Sequence, residues 1–239
     1  MSCFYDKELS QLESSFESRL ASVESRIQSA ATRAGRNRPD ITLVAVSKKF
    51  SSQHLRAAYN AGLRIFGENY VQEFADKKPE LADLSDAKFH LIGHLQSNKT
   101  RIACELFDVV QTVDSARLLK RLDSAAAETR KKLDILIEIK LSGEESKAGV
   151  DPNALPEILQ AAKECPHVTV TGLMTMPPWS EDAETARPYF QKLAAVAAEH
   201  GLKQLSMGMS NDLEVAIEEG ATMIRVGTAL FGARPKPAT

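Results

Sequence analysis

Ile41-Thr42-Leu43-Val44-Ala45-Val46-Ser47 is short, almost wholly apolar and rich in β-branched residues. A run with no polar face predicts a strand buried on both sides, as in a parallel sheet. Upstream, Leu9, Leu12, Phe16, Leu20, Val23 and Ile27 recur at three- and four-residue steps, predicting one leading helix that stops near Gly35 and Pro39. Downstream, Ser51 and Ser52 are candidate caps for a helix that carries Leu55, Ala58 and Tyr59 and ends at Gly62. The alternation then repeats. Strands are predicted at 63–66, 89–92, 109–113, 135–139, 168–173, 204–207 and 223–226, with helical patterns between them as at 115–129, 153–164, 184–200 and 211–219. With the first strand that makes eight strand-then-helix steps. Parallel neighbours need a crossover, so this order predicts a parallel sheet. Eight such units in about 200 residues match the small end of the closed (β/α)8 TIM barrel; an open doubly wound sheet is the alternative. One α/β domain over 1–239 is expected, with 1–38 as the leading helix and 41–232 as the barrel.

The 239 residues carry 30 Lys+Arg and 32 Asp+Glu, a net charge of -2, which argues against a general nucleic-acid binder. A hydrophobic share of 43% excludes wholesale disorder. No apolar run approaches the ~18 residues that span a bilayer, and Asp6, Lys7 and Glu8 stand where a secretory signal would be apolar. Cys3, Cys104 and Cys165 are odd in number and widely spaced, which suggests neither a disulfide framework nor a zinc site and fits a reducing, cytoplasmic setting. Arg33, Arg36 and Arg38, and Arg130, Lys131 and Lys132, read as helix ends or solvated turns. No apolar surface stripe is evident, so a monomer is expected.

In a barrel, function sits at the carboxyl ends of the strands. Lys48 follows the first strand directly; burial and nearby cations lower a lysine pKa, and a free amine can attack an aldehyde to form a Schiff base. Lys49 is the adjacent competitor, but alternation lets only one of the two face the axis. Ser206-Met207-Gly208-Met209-Ser210 and Arg225-Val226-Gly227-Thr228 close the last two strands, where barrels often bind phosphate through backbone N–H groups and hydroxyls. Glycine for a turn and serine for a cap would explain the same residues. Arg225 interrupts an apolar strand and needs an acceptor, either a structural carboxylate or a ring nitrogen in the barrel. His90 and His94 bracket a strand end, so helical metal-ligand spacing does not apply and no metal is expected. Trp179, after Pro177-Pro178, reads as covering a loop, and 141–149, with Glu144, Glu145 and Lys147, as a polar lid.

Taken in order, Val46-Ser47-Lys48, Phe66-Gly67-Glu68-Asn69-Tyr70-Val71-Gln72-Glu73, His90-Leu91-Ile92-Gly93-His94-Leu95-Gln96-Ser97-Asn98-Lys99, Gly172-Leu173-Met174-Thr175-Met176, Ser206-Met207-Gly208-Met209-Ser210 and the run from Arg225 through Gly232 resemble the pyridoxal phosphate homeostasis protein family (the YggS/PROSC group) over nearly the whole chain. The resemblance implies a single barrel of the alanine-racemase N-terminal type, fold-type III, binding pyridoxal 5′-phosphate (PLP). It implies that Lys48 forms the Schiff base, that Asn69 lies near the cofactor ring, and that Arg225 faces the pyridine nitrogen. It gives Ser210, Gly227 and Thr228 to the phosphate, with Ser206 close by, and makes Lys147 an auxiliary lysine to consider. Many members continue the first motif as Val-Ser-Lys-Thr-Lys, whereas this chain has Lys48-Lys49-Phe50, so the role of the family's second lysine is open here.

A carboxylate partner keeps the PLP ring nitrogen protonated and the ring an electron sink. Arginine only donates, so opposite Arg225 the nitrogen is expected unprotonated and carbanion chemistry disfavoured. Racemases of this type resemble two-domain proteins whose second domain contributes a tyrosine. This chain ends at Thr239, soon after its last predicted strand, so a cofactor open on one side is expected. The resemblance therefore implies a PLP carrier serving PLP homeostasis, with apo-enzymes as recipients and no catalysis of its own. A PLP-dependent amino-acid racemase and an unrelated barrel enzyme acting on a phosphorylated metabolite are the alternatives.

Overall fold

The predicted apolar stripe of the first segment folds as α1 (Ser2–Arg33), with Phe16, Val23, Ile27, Ala30 and Ala31 buried along one face. In this computed structural model residues 2–142 and 148–233 are described, with side chains from residue 13 onward. Eight strands follow, each with a helix after it: β1 (Thr42–Val46), α2 (Ser52–Asn60), β2 (Ile65–Glu68), α3 (Val71–Lys77), β3 (Lys88–Leu91), α4 (Thr100–Leu106), β4 (Val109–Val113), α5 (Ala116–Glu128), β5 (Leu133–Glu138), α6 (Leu155–Ala162), β6 (Val168–Met174), α7 (Arg187–Glu199), β7 (Gln204–Ser206), α8 (Leu213–Glu218), β8 (Met223–Val226) and the short α9 (Thr228–Phe231).

Every neighbouring pair is parallel, and β1 closes the ring on β8 in the register Thr42 to Met223 through Ala45 to Val226. The architecture is the (β/α)8 TIM barrel with an extra N-terminal helix, not the open sheet. The strands at 109–113 and 223–226 occupy their predicted spans. The second strand runs two residues past its prediction, to Glu68, because that carboxylate is fully buried and ion-paired rather than in a loop. Helices α3 and α4 carry no periodic apolar stripe that would predict them, because each has only seven residues.

Between the sheet and the outer helices the core is aromatic: Phe74 lies 4.6 Å from Phe89 and 5.0 Å from Phe107, ring centre to ring centre. Inside the ring the filling is different. His90, Gln111, Ser206 and Arg225 are buried there and bonded to one another, where barrels usually stack Val, Ile and Leu.

Helix α1 packs against α2, α8 and α9. Arg33 and Arg38 pair with Glu218 and Glu24, and Arg36 donates to the carbonyls of Ile217 and Ala221. These contacts account for the first basic cluster as a helix end. No helix among the described residues is long and apolar enough to cross a membrane.

Candidate functional site

The chain turns sharply after β1. Ser47 N–H donates to Gly67 O, Phe50 N–H returns to Ser47 O, and Lys49 takes φ of 65°. This turn sends Lys48 into the barrel mouth and Lys49 into solvent. Its position is held from outside the ring. Ser47 Oγ donates to Glu68 Oε1 at 2.8 Å, Lys77 Nζ donates to the same oxygen at 2.9 Å, and Lys49 N–H donates to Glu73 Oε1 at 2.5 Å. Burial pushes the Glu68 carboxyl above the usual carboxylate range, against the pull of Lys77. The run from Phe66 to Glu73 thus supplies the scaffold of the lysine turn. None of these long-range partners was visible in the sequence.

A cavity of about 290 Å³ opens at the carboxyl ends of the strands. Lys48, Asn69, Ser210, Arg225, Gly227 and Thr228 all line it, brought together from β1, β2, β7 and β8. Ser206 does not: it is fully buried beneath the floor, accepting from Arg225 Nη1 at 2.6 Å. Arg225 Nη2 donates to Thr175 O at 2.9 Å, so both hydrogen-bonded partners of the guanidinium are neutral. Burial pushes Arg225 down to about 10, while Glu138 and Asp212 act on it through space in the opposite sense.

Asn69 brings its Oδ1 to the cavity wall with no hydrogen-bond partner, an acceptor that a bound donor would satisfy. Its backbone is set by close approach: a Cβ on Gly93 would fall 2.2 Å from Asn69 O. On the β7 and β8 side, Ala229 N–H donates to Ser210 Oγ, Asp212 Oδ1 accepts from Met209 N–H, and Arg26 of α1 holds Ser210 O at 2.9 Å. The added helix therefore braces the loop that carries Ser210.

Asn211, Asp212 and Met176 also line the wall; Met176 follows β6 at a strand end, whereas Asn211 and Asp212 were not singled out as wall residues. Trp179 also lines the cavity and is 75% exposed. Its proline-bounded loop was the one available signal. Lys147 and its neighbours at 143–147 lie outside the described residues. His90 is bonded to Gln111 inside the barrel, whereas His94 stands at the rim 3.5 Å from Asp114, so the two histidines share no site.

An amine and a guanidinium facing one cavity, beside loops with N–H and hydroxyl donors, define a TIM barrel whose mouth is chemically suited to a small anionic, carbonyl-bearing ligand. A family profile described as alanine racemase, N-terminal domain, matches residues 19–235. The chain is 44% identical over 222 residues to the pyridoxal phosphate homeostasis protein of Aquifex aeolicus, covering 90% of this chain and 97% of that one. Its counterpart in Pseudomonas aeruginosa is 43% identical over 217 residues, with 90% and 94% covered. The structure of PipY from Synechococcus elongatus with PLP bound superposes with a TM-score of 0.81 at 41% identity, over 91% of this chain and all of that one. The chain belongs to the pyridoxal phosphate homeostasis protein family.

Proposed function

We propose that this protein holds PLP covalently but reversibly on Lys48, keeps the free aldehyde low and hands the cofactor to apo PLP-dependent enzymes, with no turnover of its own. When bound, the cofactor supplies an aldehyde that condenses with the Lys48 amine to a Schiff base, releasing water. The residues fit that group: Asn69 offers its unpartnered Oδ1, Ser210, Gly227 and Thr228 offer hydroxyls and backbone to a phosphate, and Arg225 offers N–H groups to a ring nitrogen.

The observation that carries the non-catalytic reading is Arg225. No carboxylate is hydrogen-bonded to it among the described residues, and none is in its place. A guanidinium only donates, so a ring nitrogen opposite it stays unprotonated and the ring is a weak electron sink. The relatives named for PLP homeostasis and the PLP-bound PipY support the same reading. We place the protein in the reducing cytoplasm, on the buried free thiols of Cys104 and Cys165, and take it as a monomer in one barrel domain.

Borohydride reduction of the PLP-loaded protein followed by peptide mapping tests cofactor, chemistry and residue together. The label is expected on the peptide carrying Lys48, and Lys48→Ala is expected to lose both the visible band and the label. Retention of both in the variant would overturn the assignment. Loss of stereochemical purity from an amino acid incubated with the loaded protein would decide for a racemase.

A further inference from the structure

Beneath the cavity floor, four polar side chains make one chain across the barrel. Arg225 Nη1 donates to Ser206 Oγ at 2.6 Å, Ser206 Oγ donates to Gln111 Oε1 at 2.6 Å, and Gln111 Nε2 lies 2.8 Å from His90 Nδ1. They come from β8, β7, β4 and β3, and all are buried. Aliphatic side chains would fill this space without the desolvation that buried polar groups cost. Of the four, only Arg225 reaches the cavity.

The chain has one direction. Arginine has no acceptor. Ser206 has a single hydroxyl proton; giving it to Gln111 leaves its lone pairs for Arg225. Gln111 therefore presents its carbonyl to Ser206 and its amide to the other side, where Met223 Sδ at 2.9 Å and His90 Nδ1 take it. His90 Nδ1 must then be bare. Burial, with Lys88 adding to it, pushes His90 down to about 4, so the imidazole is a neutral acceptor near pH 7. Thr175 O ties the other terminal nitrogen of Arg225. Both ends of the guanidinium are thus fixed by neutral partners, and its charge stays uncompensated by contact.

We propose that Gln111 and His90 are positioning residues, which act through Ser206 to hold the Arg225 guanidinium as an oriented donor toward the ring of the bound cofactor. This rests on the reading that the protein carries PLP on Lys48 with Arg225 at the ring nitrogen. It adds that the carrier's hold on the ring is set three side chains away, inside the barrel.

Gln111→Leu keeps the bulk and cuts the chain; Gln111→Glu, its carboxyl held neutral by burial, keeps an acceptor for Ser206 and a donor for His90 Nδ1. Both variants are loaded with PLP and followed by three readouts: the borohydride-trapped label on Lys48, the rate of PLP release into excess apo-enzyme, and the pH midpoint of the visible band. The label is expected in wild type and both variants. Gln111→Leu is expected to release PLP about tenfold faster, a loss of about 1.4 kcal/mol, and to shift the pH midpoint, whereas Gln111→Glu stays within about twofold of wild type. If Gln111→Leu does not fold, Ser206→Ala cuts the same chain one link nearer Arg225 and carries the same expectations. A cut chain that matches wild type in release and midpoint overturns the proposal, and so does equal perturbation by Leu and Glu, which marks packing alone. An unlabelled wild type instead sinks the Lys48 reading beneath it.

Discussion

The backbone N–H of Lys49 donates to Glu73 Oε1 at 2.5 Å, so the second lysine of the rim acts through its main chain while its side chain is exposed. Lys49 also sits at φ of 65°, a conformation that costs a residue with a Cβ about 1–2 kcal/mol. Lys49→Gly is expected to leave PLP affinity within about twofold of wild type, because glycine adopts this backbone freely. Lys49→Val, with a β-branched side chain at positive φ, is expected to lose about 1–2 kcal/mol of stability and to bind PLP more weakly. Absorbance titration and urea unfolding of the two variants check both. A marked fall in affinity for Lys49→Gly would assign the role to the side chain instead.

Glu68 and Lys77 form the most buried ion pair of the site, 2.9 Å apart with the carboxylate fully buried. Removing one partner of such a pair strands the other. Lys77→Met is expected to lower stability by about 3–5 kcal/mol. The double variant Glu68→Gln with Lys77→Met is expected to recover much of that loss, since the stranded charge is gone. Urea midpoints for the two single variants and the double one complete the cycle, and additive losses would show that the two residues do not act as a pair.

Much of this was legible in the sequence because the signals are local. An apolar, β-branched run such as Ile41 to Val46 has one good use, and the residue after it is at the barrel mouth whatever the rest of the chain does. That logic placed Lys48, Ser210, Gly227 and Thr228, an arginine inside an apolar strand marked Arg225, and the family resemblance added Asn69; all six line one cavity. It did not show that Ser206, the last residue of β7, is fully buried beneath the cavity floor. It could not see that Glu68 is the end of a strand, since a carboxylate beside Gly67 reads as loop until Lys77 is brought to it. Gln111 and His90 read as a polar residue in one strand and a histidine in another. Their 21-residue separation closes only when β3 pairs with β4.

Gly93 is held to glycine by a neighbour rather than by its own backbone angle. An added Cβ would fall 2.2 Å from Asn69 O and 2.7 Å from Asn69 Cα, both main-chain atoms that cannot step aside by a rotamer change. Gly93→Ala must therefore move the end of β2, and overpacking of this kind costs about 1–3 kcal/mol. Because Asn69 lines the cavity, PLP affinity is expected to fall along with stability. A variant that loses stability but titrates with PLP as wild type does would show that the Asn69 segment relaxes without disturbing the wall.

His90 gives the barrel interior a pH dependence whose sign is fixed. Its usual value of 6.5 is pushed down to about 4 by burial, with Lys88 adding to the shift. Between those values the unfolded chain binds a proton that the folded chain refuses. Stability therefore rises with pH through this window, is fully present above about 6.5, and is lost as pH falls toward 4. A shift of that size is worth about 3 kcal/mol across the window. Protonation there would also put a hydrogen on His90 Nδ1, where Gln111 Nε2 already donates, so the loss of stability and the loosening of Arg225 should occur together. Unfolding free energies measured from pH 7 down to pH 4 are expected to fall more steeply for wild type than for His90→Gln, which keeps an acceptor but does not titrate. Parallel curves for the two proteins would mean that His90 is not the group that senses the acid.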